Sequence, residues 1–154
     1  MSLKQAIAFW KMGLLSSEQL PAIAAEALEV GFDCLSLRVL AGETDHIGST
    51  VDPLFSRAIN ELEIPIPDHR TAAKVVAACY AAGILDGTWS PYEGARKIWR
   101  NVANVFDKDP EIWGQLSVFV GLASEWEDDP THLPDYERDI QAAAATVVRT
   151  FEAA

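Results

Sequence analysis

Between one glycine or proline and the next, the apolar residues of this chain return at every third or fourth position and almost nowhere at every second. That period belongs to helices with one buried face and argues against half-buried strands. Leu3, Ile7, Phe9 and Trp10 precede Gly13, and Leu20, Ile23, Ala24, Ala27 and Leu28 precede Gly31. Glycine enters the left-handed conformation cheaply, so both read as helix stops. Pro21 fits the second of these helices only because it lies near the start.

Asp33 is predicted to cap a short helix through Leu40, since its carboxylate can accept from the exposed amides of a first turn. Residues 43–50 read as a polar loop, and Leu54, Phe55, Ala58, Ile59 and Leu62 mark the next helix, from about Val51 to Leu62. Pro65 and Pro67 interrupt it, after which Asp68 is the expected cap of a helix running to Leu85 or Asp86. Three more are expected, from Pro91 to about Phe106, from Pro110 to about Glu127, and from Pro134 or Asp135 to about Glu152. The expected fold is all-α, a single domain over 1–154 of about eight helices, arranged as an irregular bundle or stacked pairs.

Charge narrows the partners. With 23 acidic and 12 basic residues the formal net charge is -11, which opposes attraction to nucleic acid and to anionic lipid. No apolar run reaches the ~18 residues of a membrane span. Cys34 and Cys79 lack metal-type spacing, and no secretory signal is read at the N-terminus, so reduced thiols and a cytoplasmic setting are expected. His46, His69 and His132, even with Asp45 and Asp68 beside the first two, match no ligand motif. No phosphate loop, zincin helix or serine nucleophile motif occurs, and neither metal nor cofactor is expected.

The stretch from Ser90 to Arg100 is the densest in chemistry. Ser90, Pro91 and Glu93 have the types and spacing of N-cap, N1 and N3, a capping box that starts a helix. Tyr92, Ala95, Trp99, Val102 and Phe106 are predicted to form its buried face, with Glu93 pairing to Lys97 one turn on. Gly94 is expected to admit a close neighbour, because glycine inside a helix otherwise destabilises it by roughly 1 kcal/mol. Tyr92, Arg96 and Arg100 form an alternative recognition face, suited to a carboxylate.

The block Gly31 to Gly42, GFDCLSLRVLAG, and the block Pro91 to Trp99, PYEGARKIW, resemble those of small bacterial helical proteins of unassigned activity. Such proteins carry a serine-proline pair where this chain has Cys34-Leu35, a departure at the start of the third helix. The resemblance implies a bacterial cytosolic all-α protein and transfers no catalytic residue.

Acidity is concentrated. From Asp107 to Asp139 ten acidic residues face two basic ones, -8 of the total charge. Within this window Glu125, Trp126, Glu127, Asp128 and Asp129 set four carboxylates around a tryptophan, a candidate surface for a basic protein. Gly114, Ser117, Gly121 and Ser124 form a narrow row of small residues, expected to pack on Ala142 to Ala145 of the last helix in preference to a homodimer partner. The leading expectation is an acidic protein-interaction module that masks a basic protein, as immunity or antitoxin-like proteins do. A small-molecule or metal-dependent enzyme and a self-associating structural protein are the alternatives.

Overall fold

Eight α-helices and no strand occur among residues 1–152, which the computed structural model describes. They are α1 (Leu3–Lys11), α2 (Leu20–Glu29), α3 (Leu35–Ala41), α4 (Gly48–Glu61), α5 (His69–Asp86), α6 (Pro91–Ile98), α7 (Pro110–Asp128) and α8 (Leu133–Glu152). Short 3-10 turns precede α2 and α8. The chain is all-α, as its periodicity predicts. No helix among the described residues is long and apolar enough to cross a membrane. Contacts divide the chain into two compact units, one from Met1 to Ala72 and one beginning at Ala73.

In the first unit α2 packs on α1, α3 and α4, and α3 packs on α4. Leu20, Leu37, Leu40, Phe55 and Ile59 are fully buried there. Trp10 meets the Phe55 ring edge-on at 5.4 Å and 78°. Removing a side chain such as Phe55 from water contributes about 1.5–3 kcal/mol, so this apolar cluster is the main stabilising element of the unit. Gly13 and Gly31 have φ of 70° and 103°, the left-handed geometry expected of helix stops.

Two local expectations are overturned in this unit. Asp33 does not cap α3; its carboxylate accepts two hydrogen bonds from the Arg38 guanidinium, at 2.6 and 2.5 Å. Those bonds hold Asp33 below the usual carboxylate range. Cys34 occupies the N-cap with no capping bond from its side chain, whose thiol donates to the Ala58 carbonyl at 3.8 Å, and the Ser36 amide donates instead to Glu61 of α4, at 3.2 Å. A carboxylate distant in sequence thus takes the capping role that propensity assigned to a neighbour. The loop after α3 is also shorter than expected. Asp45 accepts from the Ile47 amide, and the amides of Thr50 and Val51 both reach the Ile47 carbonyl, closing the first turn of α4 ahead of Val51.

In the second unit α6, α7 and α8 pack on one another. The buried face of α7 is Ile112, Leu116, Phe119 and Ala123; that of α8 is Ile140, Ala144, Val147 and Phe151. The small-residue row of α7 lies on the opposite side. Gly114 and Gly121 are exposed, and a Cβ built on either would meet nothing within 4 Å. The expected packing of this row on α8 is therefore wrong: the larger apolar residues two positions away claim that contact, since they bury more area. Gly114→Ala and Gly121→Ala should each stabilise the protein by roughly 0.5–1 kcal/mol, because helix propensity acts there without a steric cost. Denaturant midpoints check this; a fall in both would reveal an occupied face.

Candidate functional site

The first turn of α6 is built as its sequence specifies. The Glu93 amide donates to Ser90 Oγ at 3.3 Å, and the Ser90 hydroxyl donates to Glu93 Oε2 at 3.0 Å, with Pro91 at the first helical position. Gly94 is buried against Ile84 of α5; a Cβ there would lie 2.2 Å from Ile84 Cγ1 and 2.6 Å from Cδ1. Glycine is what lets these helices approach.

The helix does not run on in α geometry to Phe106. After Ile98 it widens into a π-helical turn, Trp99–Ala103, in which the Asn104 amide donates to the Trp99 carbonyl at 3.0 Å. The extra residue per turn rotates the buried face. Gly94, Ala95, Ile98, Val102 and Ala103 are buried, whereas Tyr92, Trp99 and Phe106 are only half-buried, so the predicted face is corrected at those three positions. The Trp99 indole N–H donates to Asn104 Oδ1 at 3.1 Å. The expected Glu93–Lys97 pair is absent: Glu93 turns back to Ser90, and the Lys97 ammonium lies 4.2 Å from the centre of the Trp89 ring.

The two candidate surfaces read from the sequence meet in space. The Tyr92 hydroxyl donates a short hydrogen bond to Glu127 of α7, and its ring stacks on Trp126 at 5.4 Å and 16°. The Arg96 guanidinium lies 5.5 Å over the other partner in this cluster, the Tyr92 ring. Arg96 Nε, shielded from solvent, is 4.0 Å from Glu127 Oε1, an ion-pair distance too long for a hydrogen bond. The bond to Glu127 raises the Tyr92 pKa, because ionising the phenol would remove the donor and face the carboxylate.

This arrangement reassigns the acidic residues. Glu127 is tied to Tyr92 and Arg96 and is not a free carboxylate. Asp129 is also committed locally, accepting from the Thr131 amide at 3.1 Å and from its hydroxyl, bonds that lower the Asp129 pKa. Glu125 and Asp128 are exposed on the same helix end, and Glu137 is exposed on α8. Arg138 lies 3.3 Å from Asp135 and 3.7 Å from Asp139, so part of the continuing charge is compensated. Trp126 is half-buried.

Arg96 also borders a groove of about 390 Å³, lined besides by Trp89, Glu93, Lys97, Arg100 and Asn101. Arg96 and Arg100, named from the sequence, both line it; Tyr92 belongs instead to the aromatic stack. Trp89, Lys97 and Asn101 were missed. Lys97 was assigned to Glu93 by spacing, and nothing local indicates that Trp89 would fold under it. The Asn101 side-chain amide donates to the Tyr80 hydroxyl at 2.9 Å. Among the described residues, no group of three or more His, Cys, Asp or Glu side chains is placed to hold a metal ion.

Compared with protein families, with curated proteins and with solved structures, the chain matches none.

Proposed function

We propose that the protein is a binding module that engages a basic protein partner at the junction of α7 and α8. The observation that carries this reading is the stack of Trp126 on Tyr92, tied to Glu127 and flanked by the exposed carboxylates of Glu125 and Asp128. An aromatic anchor held in place before binding loses little side-chain entropy on association, and surrounding carboxylates steer a cationic surface toward it. Masking of a basic partner, in the manner of immunity or antitoxin-like proteins, is the form of binding most in keeping with a net charge of -11. Two free cysteines accord with a cytoplasmic setting.

The geometry also defines which acids to test. Neutralising Glu127 or Asp129 would disturb the stack or the turn, so loss of binding there would be ambiguous. Glu125→Gln, Asp128→Asn and Glu137→Gln together alter exposed carboxylates only. A partner captured at low salt should bind this triple variant about ten-fold or more weakly, through a slower association rate. The charge-matched variant Glu18→Gln, Glu29→Gln, Glu63→Gln in the first unit should bind as the parent does. Equal losses for both triples would reduce the effect to net charge and reject the surface.

A further inference from the structure

The groove beside α6 is cationic in a strongly acidic chain. Three of the twelve basic residues, Arg96, Lys97 and Arg100, line it together with a single carboxylate, Glu93. Glu93 turns toward Ser90, whose hydroxyl donates to its Oε2, and the charge it keeps counts against them. Lys97 is held by aromatic faces, 4.2 Å from the Trp89 centroid and 5.9 Å from that of Tyr80. A cation–π contact positions an ammonium without cancelling its charge or consuming its N–H donors.

Geometry gathers these donors. Arg96 and Lys97 stand in the last turn of α6, Arg100 and Asn101 in the π-helical turn that follows, and all four border the groove. Tyr80 fixes the Asn101 amide from α5. The lining groups sum to a formal +2; Glu127, 4.0 Å from Arg96 Nε, offsets part of it from outside the groove, so Lys97 and Arg100 carry the preference for an anion of more than one charge. Repulsion from the rest of the chain is the opposing effect, but at physiological salt charges are screened beyond about 8 Å. Contacts inside the groove are shorter than that and decide the local preference.

We propose that this groove binds a phosphate monoester dianion on a small molecule, with the Arg96 and Arg100 guanidinium groups and the Lys97 ammonium donating to its oxygens. The volume of about 390 Å³ accommodates the phosphoryl group and a modest organic body, within the ~300–1,000 Å³ range of small-molecule sites. The Arg96 side chain is common to this groove and to the Tyr92–Glu127 cluster, whereas Lys97 and Arg100 belong to the groove alone, so the test rests on those two.

Phenyl phosphate is the probe, followed by NMR at about physiological ionic strength on the Trp89 indole N–H and the lysine and arginine side chains. Saturable shifts confined to the groove are expected, with dimethyl phosphate, a monoanion, binding about ten-fold more weakly because one charge-assisted contact set is lost. Arg100→Gln and Lys97→Gln should each weaken phenyl phosphate about ten-fold, and Arg138→Gln, on α8, should leave it unchanged. Absence of saturation overturns the proposal. So does dimethyl phosphate binding as tightly as phenyl phosphate, or an equal loss with Arg138→Gln, either of which would mark diffuse attraction. Unchanged far-ultraviolet circular dichroism of the variants separates lost binding from lost folding.

Discussion

Gly94→Ala is expected to lower the thermal midpoint, although alanine is the better helix former. The added Cβ would sit 2.2 Å from Ile84 Cγ1 and 2.6 Å from Cδ1, and Ile84 is buried. Isoleucine is stiff at χ1, so Cγ1 cannot swing aside without the backbone moving. Overpacking of this kind costs about 1–3 kcal/mol, against roughly 1 kcal/mol gained in helix propensity. The net loss, up to about 2 kcal/mol, corresponds to a fall of as much as roughly 4–8 °C for a chain of this size. Ile84→Ala removes both crowding atoms but leaves a void, and by itself costs about 2–5 kcal/mol. The double variant should then be more stable than the sum of the two losses, because each substitution makes room for the other. Additive losses, or stabilisation by Gly94→Ala comparable with that at Gly121, would show that Ile84 does not set the approach of these helices.

Comparison of these glycines also indicates what the sequence could convey. Helix starts with a capping side chain nearby were legible: Ser90, Pro91 and Glu93 act as their spacing predicts, and Asp68 accepts from the Thr71 amide at 2.7 Å. Helix ends marked by glycine were legible for the same local reason. The start of α3 was not, because Glu61, which binds the Ser36 amide, is 25 residues away in sequence. The small-residue row was misread because a stripe of glycine and serine permits close packing without compelling it. Gly94 and Gly121 have the same residue type in the same kind of helix, and only the fold shows that Ile84 meets one and nothing meets the other. The candidate surfaces divide similarly. Tyr92, Arg96, Trp126 and Glu127 could each be singled out from their chemistry, but their union across α6 and α7 is a product of packing. The groove depends further on a π-helical turn that no residue pattern announced.

The two thiols bear on the enzyme alternative. Burial, with the Glu152 carboxylate adding to it, pushes the Cys79 thiol from 9.0 to about 11. At a pH of about 8 this cuts the thiolate fraction about a hundred-fold, and alkylation by iodoacetamide proceeds through the thiolate. Native Cys79 should therefore react about a hundred-fold more slowly than Cys79 in the chain unfolded by guanidinium, as mass spectrometry of timed aliquots would record. Cys34 should label before it. Cys34 stands at the N-cap of α3, and its Leu37 amide contact lowers its pKa, yet burial outweighs that contact and the Glu61 carboxylate reinforces the rise. The sign for stability follows. A thiol whose folded pKa exceeds its unfolded value favours the folded state while both are protonated, and for Cys79 that contribution is lost as pH climbs from about 9 toward 11. A cysteine nucleophile needs the reverse environment, with a cation or a helix amide dominating over burial. Labelling of either native thiol as fast as in the unfolded chain would contradict this ordering and return a cysteine-dependent activity to consideration; slow labelling of both would direct attention to the binding surfaces on α6, α7 and α8.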